Sequence, residues 1–233
     1  MSNTIRILYI IGAGPRVGWG IAERFRNEGY KVAVGSRAPD VPAAMGAGFI
    51  PIQVDAADPT SIASSFITVR EKLGIPNVVV FNAVAWSQTN LNDLFSDDID
   101  NLVKETNLNT IGGYASIKEA VRGFHELPVE TPKAFIATGN ILPWGPFPPF
   151  YYTLGASKAA LAHIIETGAI FYRRKNFRFY FASQVSDQGY PVGSRALSGE
   201  AHGDIYWELA NEESQGKWEV RFTHESRRMP GIA

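Results

Sequence analysis

The chain has 233 residues, with 22 lysines and arginines against 23 aspartates and glutamates, a formal charge of −1 and no cysteine. A balance this close to neutral, with no basic run longer than Arg173-Arg174-Lys175, argues against a nucleic-acid or acidic-membrane partner. The missing thiols remove disulfides, thiolate nucleophiles and cysteine metal sites together, and the length suits one sizeable core, read as a single domain over residues 1–233.

The chain starts directly on a strand pattern, Ile5 to Ile11, with no basic-then-apolar leader ahead of it. That sets the expectation of a cytoplasmic protein, and no apolar stretch is long enough to span a bilayer. Gly18 to Glu28 reads as the first helix, closed by Gly29. Val32 to Gly35 and Phe49 to Val54 are the next two strands. Pro59 to Leu73 is a helix capped by Asp58, with proline at its first position. Asn77 to Phe81 is a continuous apolar strand, as expected where both faces of a sheet are covered. A long helix over Asp97 to Phe124, irregular around Gly112 and Gly113, is followed by a fifth strand at Lys133 to Thr138. A helix from Ala156 to Arg173, a strand from Phe177 to Ala182, a shorter helix from Ala201 to Asn211 and a last strand from Trp218 to Phe222 complete the chain. Strands alternating with amphipathic helices specify an α/β fold with a doubly wound, Rossmann-like parallel sheet.

Two segments are not regular. Leu142 to Tyr152 combines four prolines with five aromatic residues, and Ser183 to Gly199 is rich in glycine and serine. Long loops inside a compact domain usually bind something. These two, at about 140–155 and 183–200, follow strand ends, where open α/β sheets place ligands.

Between the first strand and its helix stands Ile-Ile-Gly-Ala-Gly-Pro-Arg-Val-Gly, Ile10 to Gly18. Backbone amides along Gly12, Gly14, Arg16, Val17 and Gly18 can approach a pyrophosphate at the helix N-terminus, where the dipole favours an anion. Val17 replaces the third glycine of the dinucleotide fingerprint, so the spacing is looser than usual. At the end of the second strand an NAD site carries a carboxylate. Here Ser36 and Arg37 stand there, and a guanidinium suits a 2′-phosphate. Arg16 adds a second cation, which makes NADP the expected cofactor ahead of NAD. Four scattered histidines lack ligand spacing, so no metal site is expected.

Taken in order and spacing, these motifs resemble the short-chain dehydrogenase/reductase family over nearly the whole chain. Asp55 matches that family's adenine-side aspartate. Phe81-Asn82-Ala83-Val84 is similar to its Asn-Asn-Ala-Gly turn, placing Asn82 and Ala83 at the cofactor. Asn109-Thr-Ile-Gly112 is similar to the segment of its active-site asparagine, whose main chain helps hold a water. Ala156 to Leu161, Ala-Ser-Lys-Ala-Ala-Leu, matches the helix around its catalytic lysine, here Lys158. The resemblance implies a reductase acting on a small molecule, assembled as a homodimer or homotetramer. The apolar lysine helix, with small residues Ala159, Ala162 and Ala169, is compatible with a partner subunit.

The departures fall on catalysis. The family's proton-donating tyrosine stands four residues before the lysine, and Leu154 occupies that place. Asn140 takes the place of the substrate-orienting serine, and its amide can hold an oxygen without acting as an acid. Arg16 replaces the middle loop glycine. Three explanations stand side by side. Tyr151 or Tyr152 swings in from the loop, Tyr152 being expected at the site although six residues from Lys158. Alternatively, a water held by Lys158, Asn109 and Asn140 donates the proton. In the third, the dinucleotide is structural, and the protein is a cyclase, an isomerase or a cofactor-sensing binder. The plainest role for both tyrosines is aromatic lining of the pocket mouth. The leading expectation is an NADP(H)-dependent oxidoreductase acting on a carbonyl or alcohol of a moderately large apolar substrate.

Overall fold

The computed structural model of the protein describes residues 6–145 and 149–229. Ile5, expected to open the first strand, and Pro146, Phe147 and Pro148 of the aromatic loop lie outside the described residues. Strands β1 (Ile7–Ile11), β2 (Lys31–Ser36) and β3 (Ile50–Gln53) alternate with helices α1 (Val17–Asn27), α2 (Val41–Gly46) and α3 (Pro59–Lys72). After β4 (Val78–Phe81) come α4 (Ile99–Glu105), a π-helical stretch over Thr106–Gly112, and α5 (Gly113–Glu126). The second half runs β5 (Lys133–Thr138), α6 (Tyr152–Phe171), β6 (Phe177–Gln184), α7 (Gly199–Asn211), β7 (Glu219–Phe222) and β8 (Arg228–Met229).

All eight strands form one sheet in the order β3-β2-β1-β4-β5-β6-β7-β8. Neighbours are parallel as far as β7, and β8 returns antiparallel along its edge. This is the doubly wound α/β sheet that the alternation of strands and helices specifies. Every residue of β1 is buried. Leu8 and Ile10 point into one apolar layer with Ile21 and Phe25 of α1, while Tyr9 and Ile11 point into the other with Phe66 and Val69 of α3. Cover on both faces favours apolar side chains, which is why β1 and β4 read as unbroken apolar runs. Register brings Ile11 level with Gly35 and Phe81, and Phe81 level with Ala137. The strand order reverses between β1 and β4, and the crevice at their C-terminal ends is where such sheets hold ligands.

Several boundaries differ from the sequence expectations. Helix α2 was not expected. It is one short turn and a half, with the Asp40 carboxylate accepting from Ala43 N and proline in its first turn. The two-residue β8 is likewise new. Helix α6 begins at Tyr152 rather than Ala156, and β6 continues through Ser183 and Gln184. The expected long helix runs without a gap from Ile99 to Glu126, and its irregular part is the π-helical stretch Thr106–Gly112, which ends at the first of the two glycines. A Cβ on Gly112 would lie 1.9 Å from the Ala56 carbonyl oxygen, so only glycine lets this widened turn pack against the loop after β3. Ala162 and Ala169 face the molecule's own core and not a partner.

Candidate active site

Everything the sequence singled out at strand ends gathers along one rim of the sheet. The loop after β1 is held down by Gly12 N and Ala13 N, both donating to the Gly35 carbonyl at 2.9 Å. Gly12 has φ +91°, and a Cβ there would come within 2.3 Å of Ala83 N, so the loop lies flat on the end of β4. A Cβ on Gly14, by contrast, would meet nothing within 4 Å. Helix α1 starts beside this space with no side-chain cap and no acidic residue in its first turn. Trp19 N donates back to the Gly14 carbonyl at 3.0 Å, whereas Val17 N and Gly18 N have no partner among the described residues, and these two free amides with an uncompensated dipole are the chemistry of an anion cradle. The residues present fit the pyrophosphate of a dinucleotide.

At the end of β2 a cavity of about 380 Å³ is lined by Ala13, Pro15, Trp19, Ser36, Ala38 and Asp40 among others. Arg37 is exposed beside it, its carbonyl accepting from Gln53 Nε2 at 3.4 Å. Arg16 extends elsewhere than expected from its place in the loop: its Nη1 donates to the Ser194 carbonyl, 2.6 Å away in the segment leading to α7. Asp55 is exposed, its Oδ1 accepting from Ala57 N at 2.9 Å. Val17 opens α1 and Gly18 packs against Ala13, so both shape the cradle through their backbone.

Asn82 is the hub of the rim. Its Nδ2 donates to the Gly12 carbonyl at 2.7 Å, and its Oδ1 accepts from Thr138 Oγ1 at 2.9 Å. The Thr138 hydroxyl in turn accepts from Tyr206 of α7 at 2.9 Å. Tyr206 is fully buried, which pushes its phenol well above the usual range and keeps it protonated. The Thr138 carbonyl accepts from Lys158 Nζ at 2.8 Å. Lys158 is 3 % exposed, and burial alone brings its ammonium down to about 8. A cation in so dry a place loses hydration that one carbonyl does not replace.

Asn109, in the π-helical stretch, is wholly buried. Its Oδ1 accepts from Ala85 N at 3.0 Å, and its Nδ2 donates to the Ala85 carbonyl at 2.8 Å and to Ser157 Oγ at 3.0 Å. The side chain is spent on structure, and only the backbone remains for a water. Asn140 is half-buried, with Oδ1 accepting from Leu142 N at 3.1 Å, and its Nδ2 donates to no protein atom among the described residues. Leu154 lies one helical turn before Lys158 and is 9 % exposed. Tyr152, the first residue of α6, is roughly 240° around the helix from Lys158. Its ring packs edge-on to Phe95 at 6.1 Å. Tyr151 is seven residues before the lysine but lies outside α6, so helical periodicity does not place it relative to Lys158. Its backbone at φ −144°, ψ 49° precedes the helix, and its ring meets Trp86 edge-on at 5.3 Å. Ser157, Thr138 and Tyr206 escaped the sequence reading. Ser157 had a local signal beside Lys158, whereas Tyr206 had none.

Among the described residues no cluster of histidine, aspartate and glutamate could hold a metal ion, and no helix is long and apolar enough to cross a membrane.

Comparison with known proteins bears on this geometry. Residues 12–185 match the family model described as enoyl-(acyl carrier protein) reductase. The short chain dehydrogenase/reductase dmxR12 of Cryptosporiopsis sp. (strain 8999) is 38% identical over 224 residues, covering 91% of this chain and 89% of the relative. Among solved structures, the NADPH-dependent 3-quinuclidinone reductase from Rhodotorula rubra superposes with a TM-score of 0.79 at 18% identity, over 95% of this chain and 91% of that one. A metagenomic short-chain oxidoreductase in complex with NADP gives 0.77 at 18% identity, over 94% and 96%. At such identities the structural likeness speaks for the fold alone.

Proposed function

The chain belongs to the short-chain dehydrogenase/reductase family, and from that footing we propose that it binds NADP(H) and reduces, or in reverse oxidises, a carbonyl on a moderately large apolar substrate. The observation that carries this reading is Lys158, buried and pinned to the Thr138 carbonyl at the end of the Asn82–Gly12 chain. NADPH bound there would supply a hydride to the carbonyl carbon. Gly12, Gly14, Val17 and Gly18 would cradle its pyrophosphate, and Ser36 and Arg37 its 2′-phosphate. Asp55 would meet the adenine, Asn82 and Ala83 would back the nicotinamide half, and Lys158 would hold the ribose. Asn140 would orient the substrate oxygen, and the Asn109 backbone would hold a water that passes on the proton. Tyr151 and Tyr152 line the mouth.

Calorimetry with NADPH and nicotinamide absorbance over a carbonyl panel test the reading together. Binding with turnover is expected. Tight binding with no absorbance change would leave a cofactor-sensing or non-redox protein, and no binding would end the proposal. Arg37→Ala is expected to weaken NADPH by about tenfold, the worth of one charge-assisted hydrogen bond, and to leave NADH nearly unchanged. An equal loss for both would place the 2′-phosphate elsewhere.

A second reading has its own support. The acid position is aliphatic, and the matching family model is described as enoyl-(acyl carrier protein) reductase. A conjugated alkene takes hydride at its β-carbon and develops charge on a more distant oxygen, which a donor beyond position 154 would suit. Enoyl thioesters in the same panel separate the two.

A homodimer or homotetramer is also proposed. Ile99 and Val103 of α4, and Ile170 and Phe171 of α6, are exposed apolar side chains (66%, 49%, 70% and 69%) that a partner subunit would cover. A single monomeric species in sedimentation at micromolar concentration would refute it.

A further inference from the structure

We propose that the mouth of this cleft selects a flat, fused-ring aromatic substrate of neutral charge over an aliphatic chain of equal size; the inference rests on the cleft behind Lys158 being the substrate site. Two aromatic pairs carry it. Trp86 and Tyr151 meet edge-to-face at 5.3 Å and 86°, and Phe95 and Tyr152 at 6.1 Å and 76°. Each pair takes one ring from the segment after β4 and one from the residues that open α6. The two segments are fastened by Thr89 N donating to the Phe150 carbonyl at 3.0 Å.

Trp86 is placed by the site itself. Ala85, its neighbour, exchanges two hydrogen bonds with Asn109, so the indole is anchored at the base of the wall. Tyr151 stands immediately before the first residue of α6. Asn109 also bonds Ser157, the neighbour of Lys158, which ties the Trp86 segment to the lysine's part of that helix. Yet Trp86 is 53% exposed, Phe95 83% and Tyr151 37%. An edge-to-face pair leaves ring faces open, and stiff aromatic side chains at fixed positions lose little entropy when a planar ring stacks on them. A flexible chain would have to be ordered to cover the same area. The charges nearby in sequence are Asp93, Asp97 and Asp98, which cap local turns and repel an anion. A phosphorylated carrier suits this mouth less than a neutral ring.

The test titrates 2-acetylnaphthalene and 2-dodecanone, ketones of equal carbon number, into the full chain with and without saturating NADP⁺, which cannot turn a ketone over. The naphthyl ketone is expected to bind about tenfold tighter. Trp86→Ala should remove that preference while leaving the NADP⁺ affinity and the dodecanone affinity within twofold, and Trp86→Phe should keep most of it. Equal affinities, loss of both ketones alike in Trp86→Ala, or no ketone binding would overturn the proposal. So would a Trp86 emission change that follows protein concentration and not ketone, which would assign the rings to a second copy of the chain. Failure of NADP⁺ to bind is read from its own titration and strikes the cofactor assignment alone.

Discussion

Lys158→Met should raise the melting temperature of the cofactor-free protein while removing nearly all turnover. The Nζ has one protein acceptor, the Thr138 carbonyl at 2.8 Å, and the side chain is 3 % exposed. Burial brings its ammonium from 10.5 to about 8. Between those two pH values the unfolded chain holds a proton that the folded one has released, so stability rises with pH across that window. Below about 8 both states are charged and the full cost of the buried cation is felt. At neutral pH that cost is on the order of 3 kcal/mol, from the size of the displacement, and an apolar methionine of similar length avoids it. The excess stability of Lys158→Met should therefore be largest below pH 8 and shrink as pH climbs towards 10.5. Thermal unfolding of the two proteins at a series of pH values checks this. A less stable variant at pH 7 would mean that the Thr138 bond outweighs desolvation. Turnover should fall by about a hundredfold or more, as the cofactor ribose loses the group that positions it for hydride transfer. A position that destabilises the fold and is retained in a dry cleft is the signature of a functional group.

What could be read from the sequence, and what could not, divides by distance along the chain. Strands β1 and β4 announce themselves because burial on both faces has left them apolar throughout. The glycine loop is legible because Gly12 and Gly18 answer to local backbone demands. Helix α2 is too short for periodicity to show, and β8 exists only through its pairing with β7. Nothing in Thr-Asn-Leu-Asn-Thr-Ile-Gly marks a π-helical turn; the close approach of Gly112 to Ala56 is tertiary. The same holds at the site. Lys158, Asn82 and Asn109 fall within recognisable stretches. Tyr206 and Thr138 are 68 residues apart, and Arg16 is 178 residues from the Ser194 carbonyl it reaches. The ordering of Tyr151 and Tyr152 about the lysine depends on where α6 begins, four residues earlier than its apolar pattern implied.

The sharpest probe of the missing acid is Leu154→Tyr, expected to raise reduction of generic ketones by about a hundredfold. Position 154 shares the Lys158 face one turn back, and Leu154 O already accepts from Ser157 Oγ at 3.1 Å, so the backbone there is fixed. A phenol at that point would lie beside a buried ammonium, which favours phenolate and brings its proton within the range of neutral catalysis. The substitution also overfills a pocket now closed around a leucine 9 % exposed, at a cost of about 1–3 kcal/mol. Leu154→Phe imposes the same bulk without the hydroxyl, so the rate difference between the two variants isolates the acid from the packing. A large gap, with an alkaline limb appearing in the pH profile of the tyrosine variant, means that the scaffold still aims a carbonyl at this face of α6. Equal rates mean that the reacting oxygen lies elsewhere, nearer Tyr151. The aliphatic side chain is then suited to a substrate whose charge develops away from position 154, as in hydride addition to a conjugated alkene.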